Sequence, residues 1–214
     1  MEPKRKSKSV VPEPLPAERE RPREKISKRR DEILQVAARL FAEKGYEETT
    51  IREIGDAAGI LSGSLYHHFQ TKEEMLQELL KEFIVMVPQY RAIVNEGKGA
   101  KETLRDMIVL GLRTVVSHPN IVAITVHDRK FLARHPSFVH VQTAWKDMSK
   151  VWYGVLQQGV AEGVFRKDLD LHLLLRMIND MVAASVDWYQ PGGRYSITKI
   201  IDTQLALIFG GIEI

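Results

Sequence analysis

The chain has 214 residues, 44% hydrophobic and 28% charged, with a formal net charge of +3 and no cysteine. That length buries a sizeable core without covalent staples. The missing cysteine excludes a disulfide scaffold, a cysteine-based zinc or iron–sulfur site and a thiol nucleophile. No apolar run approaches the ~20 residues that span a bilayer, and the charged, proline-rich start lacks the apolar stretch of a secretory signal. The expectation is a soluble cytoplasmic protein with no membrane partner.

Residues 1–26 carry eight Lys/Arg, five Glu and five of the nine prolines, whereas the remaining 188 residues balance 23 basic against 23 acidic side chains. The segment reads as a disordered basic arm. It suits either a solubilising tail or a salt-sensitive scan of phosphates.

From Ser27 onward the pattern is all-α. Ile33, Leu34, Ala37, Ala38, Leu40 and Phe41 recur on one helical face, and Gly45 stands where a left-handed residue ends a helix. Thr50 to Glu53 form a capping box opening a second helix that turns Ile54, Ala57 and Ala58 inward and stops at Gly59. Ser62 is expected to cap a short third helix through Phe69. Thr71 to Glu74 form another capping box, starting a long helix that Pro88 bends. Further helices are expected at about 101–117, 119–134, 137–163, 170–189 and 196–211, with Asp170 and Ser196 as caps.

The second and third helices, joined by Gly59-Ile60-Leu61-Ser62, have the size and turn chemistry of a helix-turn-helix. Leu65 and Phe69 give the third helix one buried edge. Ser62, Gly63 and Ser64 make a narrow near end suited to a groove and to phosphate, and Tyr66 and His67 reach far enough for backbone oxygens or base edges. Enzyme motifs are missing: there is no G-x-S-x-G elbow, no phosphate-loop spacing at Gly97-Lys98-Gly99, and the adjacent His67 and His68 diverge around a helix instead of sharing a metal. No catalytic residue, metal site or cofactor is expected.

Residues 30–76 resemble the DNA-binding domain of the TetR family of transcriptional repressors, through Leu40-Phe41-Ala42, Lys44-Gly45-Tyr46, Thr49-Thr50-Ile51-Arg52-Glu53-Ile54, Ala57-Ala58-Gly59, Leu65-Tyr66, His68-Phe69 and Lys72-Glu73-Glu74-Met75-Leu76. The resemblance implies an all-α, nine-helix fold, with a three-helix DNA-binding domain over 27–71 and a ligand-sensing and dimerisation domain over 72–214. It also implies base or backbone contacts from Ser62, Gly63, Ser64, Tyr66 and His67, and phosphate contacts from Thr50, His68 and Lys72. Leu65 and Phe69 are then core.

Beyond residue 85, methionines and aromatics are abundant. Met86, Tyr90, Met107, Phe131, Trp145, Met148, Trp152, Met177 and Met181 are candidate linings of an apolar pocket; as single residues each reads more readily as helical core. The resemblance implies a ligand cavity among the middle helices, whose filling changes the angle of the long helix from Lys72. Leu171, Leu174, Leu175, Ile178 and Val182, with Ile197, Ile201, Leu205 and Ile208, form stripes expected to pair two copies as a four-helix bundle. Leu173 and Leu207 widen the apolar arc, as burial on two sides requires. A two-fold homodimer predicts a palindromic double-stranded operator.

Within the family, 59–69, 156–166 and 188–193 are similar to actinobacterial TetR-type repressors of steroid-ring degradation, a resemblance implying an acyl-CoA or other hydrophobic effector. Asn179 and Ala183 depart from that pattern: Asn cannot pair bidentately with phosphate as Arg does, so a shared operator is implied more than a shared ligand. On the residues alone two alternatives stay open, an enzyme of acyl compounds and a bundle that binds a partner helix.

Overall fold

The computed structural model describes residues 22–214, with side chains from residue 27 onward. Residues 1–21 of the expected arm lie outside the described residues. The first helix, α1 (Pro22–Lys44), starts five residues ahead of the expected Ser27, with proline at the position where a missing N–H does least harm. Its predicted stripe from Ile33 to Phe41 is buried. Gly45, at φ +88°, ends it and donates to the Phe41 carbonyl at 2.9 Å.

Helix α2 (Ile51–Ala58) has the predicted Thr50–Glu53 capping box and ends at left-handed Gly59. The close approach to the next helix is made by Gly55, not by the alanines. Gly55 is buried, a Cβ there would stand 3.1 Å from the Ile60 carbonyl oxygen, and Ala57 faces solvent. Helix α3 (Ser62–Leu65) continues as a hydrogen-bonded turn to Phe69. Leu61 occupies its cap position and makes no side-chain cap, so Ser62 is its first helical residue.

The long helix is broken. Helices α4 (Lys72–Ile84) and α5 (Met86–Asn95) meet at Val85, since Pro88 has no N–H to give the Ile84 carbonyl. Thr71 caps α4 as expected, but Glu74 accepts from the Gln70 N–H, so only half of the second capping box forms. Then follow α6 (Ala100–Ser117), α7 (Pro119–His127), α8 (Arg129–Arg134), a 3-10 turn at Pro136–Phe138, α9 (Val139–Ala161), α10 (Leu171–Ala183), α11 (Ser185–Trp188) and α12 (Ile197–Ile212). Asp170 and Ser196 cap α10 and α12. Counting the pairs α4–α5, α7–α8 and α10–α11 as bent single helices gives nine among the described residues, the expected all-α number.

Two apolar cores result. One joins α1 to α4 with Ile121, Ile124, Leu132, Phe138 and Val141; the other joins α5, α6, α9, α10 and α12. The three-helix head is therefore seated directly on α7 and α8.

Candidate nucleic-acid interface

In the segment after the α2–α3 turn, Leu65 and Phe69 are fully buried, while Gly63, Ser64, Tyr66 and His67 face solvent and Ser62 and His68 are half-buried. Two arginines of α1 hold this unit. Arg29 donates to the Ala58 carbonyl at 2.7 Å, closing the end of α2. The Arg30 guanidinium lies 4.1 Å from the centre of the Phe69 ring and donates to Glu78, to Glu74 and to the His68 carbonyl. The reading segment is thus clamped from beneath and free above. Arg52 on α2, its side chain 86% exposed and 3.8 Å from Asp56, is an outward cation of the helix-turn-helix that sequence patterning did not single out.

Two predicted phosphate contacts stand differently. The Thr50 hydroxyl accepts from the Glu53 N–H and donates to the Glu53 carboxylate. Lys44 and Thr50 together hold that carboxylate down to about 2. Lys72 turns inward: its ammonium donates to the carbonyls of Tyr46, Thr49 and Glu47 at 2.6, 2.7 and 3.3 Å and lies 4.3 Å from the centre of the Tyr46 ring. Partial burial lowers its pKa. Its acceptors lie more than twenty residues away, so no local pattern could show them. Lys72→Ala is expected to lower stability by about 1–3 kcal/mol and to leave the slope of log Kd against log salt unchanged. A slope reduced by about 0.9 at unchanged stability, measured by anisotropy and urea unfolding, would restore the phosphate role.

A cavity of about 410 Å³ opens among α5, α6, α7, α9 and α10. Met86, Tyr90, Trp145, Met148 and Trp152 line it as predicted, joined by Phe83, Val115, Val122, Thr125, Arg129 and Asn179. Four predicted linings lie elsewhere. Met107 is wholly buried in the second core. Phe131 packs beside the head against Tyr46 and Phe138. Met177 is 58% exposed, and Met181 borders a separate groove with Trp188 and Leu207. The reason is common to all four: periodicity reports a helical face, not the neighbour that covers it. Arg129 at the cavity edge stands 3.9 Å from Asp180. Between cavity-lining Val126 and Arg129 sits Asp128, whose carboxylate accepts the Tyr46 N–H at 3.1 Å. His127 pairs with Asp187 at 2.7 Å. The α7–α8 joint therefore touches cavity and head at once.

The expected dimer stripe faces the other way. Leu175, Ile178, Val182, Leu205 and Ile208 are buried within the protomer, and Leu171, Leu174, Ile197 and Ile201 are half-buried against the same core. The residues that face out are the two that widened the arc, Leu173 (57% exposed) and Leu207 (64%), together with Met177, Trp188 and Tyr195.

Residues 33–79 match the model of bacterial regulatory proteins of the tetR family, and 97–212 match that of the tetracyclin repressor-like C-terminal domain. The HTH-type transcriptional repressor KstR2 of Mycobacterium tuberculosis H37Rv is 42% identical over 188 residues, 87% of this chain and 94% of that repressor. KstR2 of Rhodococcus jostii RHA1 is 38% identical over 187 residues, 87% of this chain and 92% of its own length. The structure of the ketosteroid transcriptional regulator KstR2 of M. tuberculosis superposes with a TM-score of 0.81, covering 87% of this chain and 95% of that one at 42% identity. AibR in complex with isovaleryl coenzyme A and operator DNA, at 24% identity, covers 85% of this chain and 98% of its own with a TM-score of 0.73, a likeness of fold.

Proposed function

The chain belongs to the TetR family of bacterial regulatory proteins, and from that membership we propose that α2 and α3 read an operator while the α5–α10 cavity admits the effector that releases it. The protein is a DNA-binding transcriptional repressor, not an enzyme, and it works on operator DNA as a dimer. The observation that carries the site assignment is the division of one short segment: Leu65 and Phe69 buried, Gly63, Ser64, Tyr66 and His67 outward. Short and planar hydrogen-bonding groups on a helix-turn-helix are suited to base edges and phosphates. Arg52 is the proposed phosphate contact in place of Lys72. Functionally, 27–71 is the reading unit and 72–214 the sensing and pairing unit, and the dimer closes over Leu173, Met177 and Leu207.

The proposed effector is an acyl-CoA or a comparable hydrophobic metabolite. Support comes from the aromatic and methionine-lined cavity, from Arg129 at its edge as a partner for an anion, and from a fold relative that carries isovaleryl coenzyme A and operator DNA. The proposed targets are genes of steroid or lipid breakdown, after the ketosteroid regulator it resembles, with the protein in the cytoplasm beside nucleoid DNA. Filling the cavity displaces the α7–α8 joint, loosens Asp128 from the Tyr46 N–H and tilts the head.

Fluorescence anisotropy on a duplex selected from a random library by the wild-type protein tests both halves. Tyr66→Ala is expected to weaken binding about 5- to 150-fold, the equivalent of about 1–3 kcal/mol, and a short acyl-CoA titrated into the wild-type complex to release the duplex. Unchanged affinity of Tyr66→Ala would remove α3 as the reading segment. Failure of every acyl-CoA to release the duplex would remove that effector class and leave the repressor.

A further inference from the structure

Leu61 does nothing for the fold that a leucine is needed for. It fills the cap position before α3, where Ser, Thr, Asp or Asn would bond a free N–H and where a leucine is among the poorest choices. Its side chain makes no cap bond and is 81% exposed, among the described residues the most exposed large apolar side chain apart from Ile214. The turn has its own apolar anchor in Ile60, which packs against the head core. The Leu61 carbonyl accepts from the Ser64 and Leu65 N–H groups at 2.8 and 3.2 Å, a task any residue performs. A bare isobutyl group is therefore held, on a rigid backbone, at the leading edge of the row formed by Gly63, Ser64, Tyr66 and His67.

In a B-form major groove the base edges present hydrogen-bonding groups, and the C5 methyl of thymine is the apolar group among them. We propose that Leu61 is a sequence-reading residue that packs on a thymine methyl, selecting an A·T pair at one position of each half-site. The inference rests on α3 being the groove segment, and it adds a non-polar element to a reading head otherwise made of hydrogen-bonding groups. It also accounts for the missing cap: a serine at residue 61 would cap α3 better and read nothing apolar.

The test replaces each thymine of the selected duplex, one at a time and in symmetric pairs, by deoxyuridine, which removes only the C5 methyl. For the wild-type protein one position is expected to lose about fourfold per half-site, the value of burying one methyl-sized group, and about sixteenfold when both half-sites carry uracil. Leu61→Ser and Leu61→Ala are expected to bind thymine and uracil duplexes equally at that position. Leu61→Ser should also unfold at a higher urea concentration, which separates the lost reading from damage to the fold. Tyr66→Ala should weaken binding yet keep the uracil penalty. A wild-type protein indifferent to uracil everywhere, or a penalty that persists in both Leu61 variants, would overturn the inference. So would a change in the number of protomers per duplex with the penalty intact, which would make Leu61 a protein contact. If neither Tyr66→Ala nor the Leu61 variants alter binding, the reading of α3 fails instead.

Discussion

Leu207→Glu is expected to leave the protomer folded, abolish the dimer and lower affinity for a two-half-site operator by at least about a hundredfold. Leu207 is 64% exposed on α12; Leu173 and Met177 on α10, Trp188 on α11 and Tyr195 in the loop before α12 are exposed apolar side chains as well. A groove of about 470 Å³ beside Leu207 is lined by Met181, Trp188, Tyr195, Thr203 and Gln204. So much outward apolar surface on adjoining helices marks a covered face. Placing a carboxylate there costs the dimer several kcal/mol, because a buried charge without a partner is among the most destabilising insertions. In the protomer the same carboxylate meets water, so folding is spared. Loss of the partner then removes the second head, and with it an effective-concentration gain of about 10²–10⁴. Light scattering gives the mass, and anisotropy on full and half operators gives the affinity. A dimer of undiminished operator affinity would move the interface to another face.

Gly159→Ala is expected to cost about 3 kcal/mol, at the upper end of core overpacking, and to lower Tm by about 6–12 °C for a chain of this size. A Cβ on Gly159 would lie 1.9 Å from Cδ2 and 2.2 Å from Cε2 of Phe165. The ring cannot step aside: it is 2% exposed, and its own backbone N–H donates to the Gly159 carbonyl at 3.0 Å. Phe165 also bridges to Glu213, while Arg166 donates to the Ile212 carbonyl at 2.8 Å. The clash therefore pushes on the end of α12, the helix that carries Leu207. Adding Phe165→Leu to Gly159→Ala should recover part of the loss, although Phe165→Leu alone destabilises, since the two sites share one contact. Calorimetry of the four proteins decides it; a Gly159→Ala protein within about 0.5 kcal/mol of wild type would show that the ring relocates freely.

Much of the reading head was legible because its determinants are local. Thr50 and Glu53 lie three residues apart, Gly59 ends the helix they start, and Leu65 and Phe69 occupy one edge of a single turn. The cavity was half legible. Aromatics and methionines announced an apolar interior, but whether Trp152 or Met107 meets empty space depends on how α6, α9 and α10 cross. Phe131 is the plainest case: its partners Tyr46 and Phe138 lie on opposite sides of it along the chain, and together they seat the head.

What the amino-acid sequence determined by itself is the helical content, most of the helix ends, the helix-turn-helix with its outward polar row, and the presence of an apolar arc too wide for one buried face on the C-terminal helices. These follow from hydrogen bonds and side-chain periodicity within about four residues. Only the tertiary structure decided which half of that arc turned inward, leaving Leu173 and Leu207 outside and Leu175 and Leu205 within, and which carbonyls captured Lys72. Both choices are made by groups brought together from distant parts of the chain, and a helix with two apolar sides is locally indifferent to which of them faces its own core.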